Sequence, residues 1–193
     1  MRGPEQSLQV TALFNAGREE PFEGETHLIH PSSANAMAPA ARGEMSCAAV
    51  ARTAKDVILG SEHDFVLVNL AIPDVAAIGR AGGHATSIAT IRAIDAFDAA
   101  LAGIVDGTRS AGGALVVTAC HARGGAPSAA PTRQVRDART DDLVPLLYVH
   151  DADRAVKIRP GRSLCDVAPT LLELLGLPLP AEMTGRSLFD RTL

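Results

Sequence analysis

Cysteine and histidine stand side by side in TACHARGG, residues 118–125, directly after the apolar run GGALVV. A thiol next to an imidazole can act as nucleophile and base, or the two can ligate a soft metal such as zinc. A proton-sharing pair needs both groups on one side of the chain. Neighbours in an extended strand point to opposite faces, so Cys120 and His121 share a proton only if the backbone bends there. The sequence shows no third residue to orient the imidazole. The plainer reading is that Cys120 is a small apolar thiol capping a buried strand, since free cysteine is among the most buried residue types.

A strand must carry that pair, and the surrounding pattern supplies several. VTALF (10–14) and THLIH (26–30) are short apolar runs that read as strands, with the charged turn NAGREEPFEGE between them. Residues 31–43, rich in proline, serine and alanine, read as an ordered loop. Ser46 is a candidate N-cap, followed by the helical stripe Val50, Ala54, Val57 and Ile58 and by Gly60 as a terminator. DFVLVNLA (64–71) is apolar on both faces, as in a parallel sheet. After the loop AIPDVAAIGRAGG, the residues Ile88, Ile91, Ile94, Phe97, Leu101, Ile104 and Val105 mark a long amphipathic helix over 86–106. GALVVTA (113–119) and VPLLYV (144–149) read as further strands around a polar loop, 121–142. SLCDVAPTLLELLG (163–176) reads as a helix closed by Gly176.

Strands alternating with helices imply an α/β fold with a mostly parallel central sheet flanked by helices. The 193 residues show no repeat and no linker, so one domain over 1–193 is expected. Ligands in such sheets gather at the carboxyl ends of strands, which singles out the loops after 71, 119 and 149. Aromatics make up 3% of the chain and the net charge is −4, which argues against a nucleic-acid partner. No run of some eighteen apolar residues and no signal-peptide pattern is visible, so no membrane partner is expected. Three widely spaced cysteines form no disulfide framework, and a cytoplasmic setting is expected.

Several stretches, in order, resemble the carboxyl-terminal part of the cofactor-independent phosphoglycerate mutases of the alkaline phosphatase superfamily. They are FNAGREEPFEGE, GEMS, DFVLVNLAIPD, GGALVVTACH, VPLLYV, SLCDVAPTLLELLGL and PAEMTGRSL, spanning about Val10 to Leu188. The resemblance implies an alkaline-phosphatase-like core. That family joins a phosphatase-type domain, with two manganese ions and a phosphorylated serine, to an inserted transferase domain. The matching stretches contain no counterpart of the family's first strand, its serine or the transferase domain.

The resemblance also says which positions should bind metal. In the family's N-P-D-M-V-G-H-T-G loop, the aspartate corresponds to Asp74, but Ile78 stands where the histidine belongs. His84, six residues further on, can take the ligand role only through an insertion; otherwise it is a surface residue near a helix N-terminus. The family's T-A-D-H-G-N becomes Thr118-Ala119-Cys120-His121-Ala122-Arg123, with a thiol in place of a carboxylate. Manganese prefers oxygen, whereas a thiolate suits zinc. The two histidines of H-T-A-H-T-S-N-P-V-P-L-I-Y-V become Arg136 and Arg139. A guanidinium stays protonated and has no lone pair to give. These arginines can instead pair with Asp74, Asp137, Asp141 or Asp142, filling the metals' place with fixed charge. Gln6 stands nearest to where the family has a phosphate-handling lysine, and Asn15 and Gly17 read as turn formers.

The expectation is therefore a degenerate relative of the mutases without mutase activity and without a bound cofactor. It would serve as a binding or structural protein, in a homo-oligomer or with a partner covering an exposed sheet edge. One alternative is a metal-dependent phosphate-ester enzyme with a rebuilt site of Asp74, His84, Cys120 and His121 around a single softer metal such as zinc. A second is one half of a split mutase.

Overall fold

The computed structural model describes residues 7–30, 39–70, 84–120, 143–152 and 156–190. These fall into two compact units, one drawn from the chain up to Ala111 and the other from Gly112–Cys120 and residues from Leu143 onward. The first is helical, with α1 (Ser7–Phe14), α2 (Pro39–Gly60) and α3 (His84–Ser110). The second holds β1 (Leu115–Thr118), β2 (Leu146–Val149), β3 (Lys157–Ile158), α4 (Val167–Leu174) and β4 (Phe189–Asp190).

In the first unit α2 packs along α3. The face that α2 buries is Cys47, Val50, Ala51 and Ala54, a run at i, i+3, i+4 and i+7. On α3 the buried positions are Ala93, Ala100, Ile104, Gly107 and Thr108. Most of these side chains are small, so the helix backbones come close. A Cβ added at Gly107 would lie 2.9 Å from Lys55 Cγ and 3.6 Å from Lys55 Cα. The Thr108 hydroxyl keeps its place in this apolar seam by donating to the Ile104 carbonyl at 2.9 Å.

Several expectations change here. VTALF belongs to α1 rather than to a strand, and THLIH forms only an isolated bridge at Ile29. Short apolar runs do not distinguish strand from helix, and tertiary context decides. The helix expected from Ser46 begins at Pro39, so residues 39–43 are helical rather than loop. Proline suits a first helical position because its missing N–H would have no partner there, while the unfavourable Gly43 hides this early start. Gly60 does end the helix. The long helix extends beyond 86–106, yet Ile91 and Ile94 are 58% and 50% exposed. Periodicity shows that a stripe is apolar, but the close approach to α2 selects the neighbouring small-residue stripe. Residues 65–70 form no strand and belong to neither sheet, with Phe65 exposed and 66–70 half-buried. The expected loop at 71–83 lies outside the described residues.

Among the described residues of the second unit, both sheets are two-stranded and antiparallel. The α/β character holds, but the expected parallel central sheet is not found among the described residues. A parallel neighbour needs a crossover, usually a helix, and the sequence between β1 and β2 carries no helical apolar stripe. Leu115 pairs with Val149 and Thr118 with Leu146. Tyr148 of β2 and His150, just past its end, stack with ring centres 6.2 Å apart. Tyr148 also meets the buried Phe189 of β4, at 4.6 Å.

The expected helix over 163–176 comprises a short 3₁₀ turn, Leu164–Asp166, and α4. Gly176 at φ +68° closes it, and the Leu177 amide reaches back to the Leu172 carbonyl at 2.9 Å, the 6→1 bond of a Schellman cap. At the other end buried Asp166 holds two strands of chain. Its Oδ2 accepts the Ser163 amide at 3.0 Å and its Oδ1 the Arg186 amide at 2.7 Å. Those two amides, the Ser163 one foremost, hold its carboxyl below the usual range against the opposing effect of burial. The buried Thr170 hydroxyl donates to the Asp166 carbonyl and accepts the Leu188 amide, at 2.7 and 2.8 Å. Gly185 passes so close that a Cβ there would run into the Cys165 carbonyl. The carboxyl-terminal segment is thereby fixed to the start of α4, and β4 pairs with β3.

Two substitutions test this packing. Gly107→Val should destabilise the chain by about 1–3 kcal/mol through overpacking, read as a lower urea midpoint. Asp166→Ala removes the acceptor of two amides and should cost about 1–3 kcal/mol. Its local signature is faster hydrogen exchange at the Arg186 amide, and unchanged exchange there would contradict the clamp.

Candidate functional site

The register of β1 and β2 sets what the Cys120 region can do. Because the strands are antiparallel, the chain leaving β1 and the chain entering β2 lie at the same end of the pair. The Thr118 hydroxyl fastens that end by donating to the Pro145 carbonyl at 2.9 Å. The loops after 119 and after 149 therefore open at opposite ends of this sheet, not at one carboxyl edge.

Cys120 is exposed on a bend just past β1, not buried beneath the strand, so it does not cap the core. The buried thiol is Cys47, on the α2 face, where burial pushes its pKa up. Cys165 is exposed too, with its sulfur 2.9 Å from the Ser163 hydroxyl. His84 opens α3. Asp74, His121, Arg136 and Arg139, with Gln6, Asp137, Asp141 and Asp142, lie outside the described residues. Among the described residues no three His, Cys, Asp or Glu side chains come together as a metal site.

The described residues contain a different polar cluster, in the turn after α1. The Gly17 amide reaches back to the Thr11 carbonyl at 2.8 Å, with Ala16 and Gly17 at positive φ, +50° and +81°. Gly17 forms the turn as expected. Asn15 has another role, because its φ is not positive and its buried amide donates to Glu25 Oε2 at 2.9 Å. The Phe22 amide donates to the same oxygen at 2.8 Å, and His27 Nε2 lies 2.7 Å from Glu25 Oε1. The Phe22 hydrogen bond is the main cause that lowers the Glu25 pKa to about 2, with His27 and Asn15 adding to it against desolvation. Arg18 sits over the Phe22 ring, 4.7 Å from its centre. This arrangement closes a turn, since the carboxylate spends both oxygens on groups of its own loop. As a sequence, NAGREEPFEGE is a charged turn. The available signal was Glu25 and His27 at i, i+2, which puts both on one side of an extended chain.

The comparisons fit the residue pattern. A profile described as the metalloenzyme superfamily matches residues 5–179. The chain belongs to that superfamily. It is 42% identical over 187 residues to a 2,3-bisphosphoglycerate-independent phosphoglycerate mutase of Thermomicrobium roseum, covering 95% of this chain and 34% of the relative. It is 39% identical over 184 residues to the protein of the same name from Pseudomonas fluorescens strain Pf-5, covering 95% and 34%. For the one from Syntrophotalea carbinolica the figures are 37% over 187 residues, covering 96% and 35%. The chain thus spans about a third of the length of these curated relatives. Among the described residues no helix of this superfamily member is long and apolar enough to cross a membrane.

Glu25 yields a test by pH. Its folded pKa lies below the ordinary carboxylate value, so its stabilising effect is complete above pH 4.5 and is lost as pH falls through about 2. The Phe22 amide resonance should titrate with a midpoint near 2, and Glu25→Gln should abolish that step. A midpoint near 4.5 would mean that the carboxylate does not hold the turn.

Proposed function

We propose that this chain is a non-catalytic relative of the 2,3-bisphosphoglycerate-independent phosphoglycerate mutases, acting as a binding or structural protein. The observation that carries this reading is the chemistry at the inherited metal positions. Arg136 and Arg139 stand where the family has histidines, and Cys120 stands where it has an aspartate. Protonated guanidinium groups repel a divalent cation and have no lone pair to donate. In their place they neutralise carboxylates, with Asp74, Asp137, Asp141 and Asp142 as the candidates. The chain then holds no manganese pair and carries out no phosphoryl transfer.

Its work is done through a protein partner or a second copy of itself. The support is the outer edge of β1, which has no ladder partner among the described residues. An open strand edge of this kind invites pairing with another chain. Neither a nucleic acid nor a membrane is part of this reading. A cytoplasmic setting goes with it, since Cys47, Cys120 and Cys165 are all free thiols.

One observation favours a second reading. The Cys120 thiol is exposed on the bend just past β1, and His121 follows it in the sequence. With Asp74 and His84 these residues would make a donor set for one softer metal such as zinc, which could polarise a phosphate ester.

Metal analysis separates the two. After equilibration with manganese and zinc and removal of free ions, the purified chain should retain neither at one equivalent. The variant Cys120→Asp with Arg136→His and Arg139→His, which returns the family's residues at those three positions, should retain more manganese than the unmodified chain. Stoichiometric zinc in the unmodified chain, lost in His121→Ala, would favour the rebuilt enzyme. Phosphoglycerate mutase activity on adding the serine-bearing part of a relative would instead point to a split enzyme.

A further inference from the structure

We draw no further inference here: the strongest candidate, the exposed Ile91 and Ile94 stripe on α3, carries nothing because nothing in the structure shows what covers it.

Discussion

The second unit depends on one buried carboxylate. Asp166 is 5% exposed, and a charge removed from water to that degree is tolerable only when its oxygens are satisfied. The Ser163 amide satisfies one oxygen and the Arg186 amide the other. The first bond is local and shapes the entry to α4. The second is long-range and fixes where the carboxyl-terminal segment lies. Thr170, one turn along, repeats the arrangement for the Leu188 amide. Once residues 185–188 are fixed, Phe189 follows, and Phe189 packs on Tyr148 of β2. The register of β2 with β1 then sets the edge on which Cys120 stands. A short series of contacts links the clamp to the candidate site.

The same clamp shows what the sequence made legible. SLCDVAPTLLELLG announces its helix and its Gly176 terminator, because helix periodicity and a left-handed cap are local properties. The partner of Asp166 is not local. Arg186 lies twenty residues away and contributes a backbone amide, which every non-proline residue has. No residue type advertises it. Gly185 is the one trace in the sequence, a glycine required because the Cys165 backbone leaves no room for a side chain. The strand directions are a similar case. GGALVV and VPLLYV are apolar enough to be strands, but composition does not say whether neighbours run parallel or antiparallel. In α3 the sequence showed an apolar face, yet burial followed Ala93, Ala100 and Ile104 rather than Ile91 and Ile94. Close helix contact favours residues that let backbones approach, and hydrophobicity alone does not rank them.

For the candidate site the balance is reversed. Its chemistry is legible from residue types, since arginine differs from histidine as a ligand in any geometry. Its geometry is not, because the ligand positions come from segments far apart in the chain and only Cys120 has a described side chain among them. The turn after α1 lies between these extremes. Asn15 and Glu25 bound a charged turn in the sequence and His27 lies in the apolar run after it, and nothing in those residue types marks them as one connected set. The carboxylate draws in the Phe22 amide as well, and that is again a backbone group.

The residues that hold the fold and those that would hold metal are different sets. Among the described residues, Asp166, Thr170, Gly185 and the small-residue faces of α2 and α3 make their contacts with residues other than Cys120. The fold can therefore persist while the ligand positions change. The change must still be electrostatically balanced. In a dinuclear metal site the cations offset the carboxylates that bind them, and removing them leaves negative charges facing one another. On the reading proposed here, Arg136 and Arg139 offset that charge permanently, whereas a bound metal would do so only when loaded. The exchange gives up a Lewis acid and gains a site whose charge does not depend on metal supply. That is an advantage for a surface that must stay in one form to be recognised, and a loss for an enzyme.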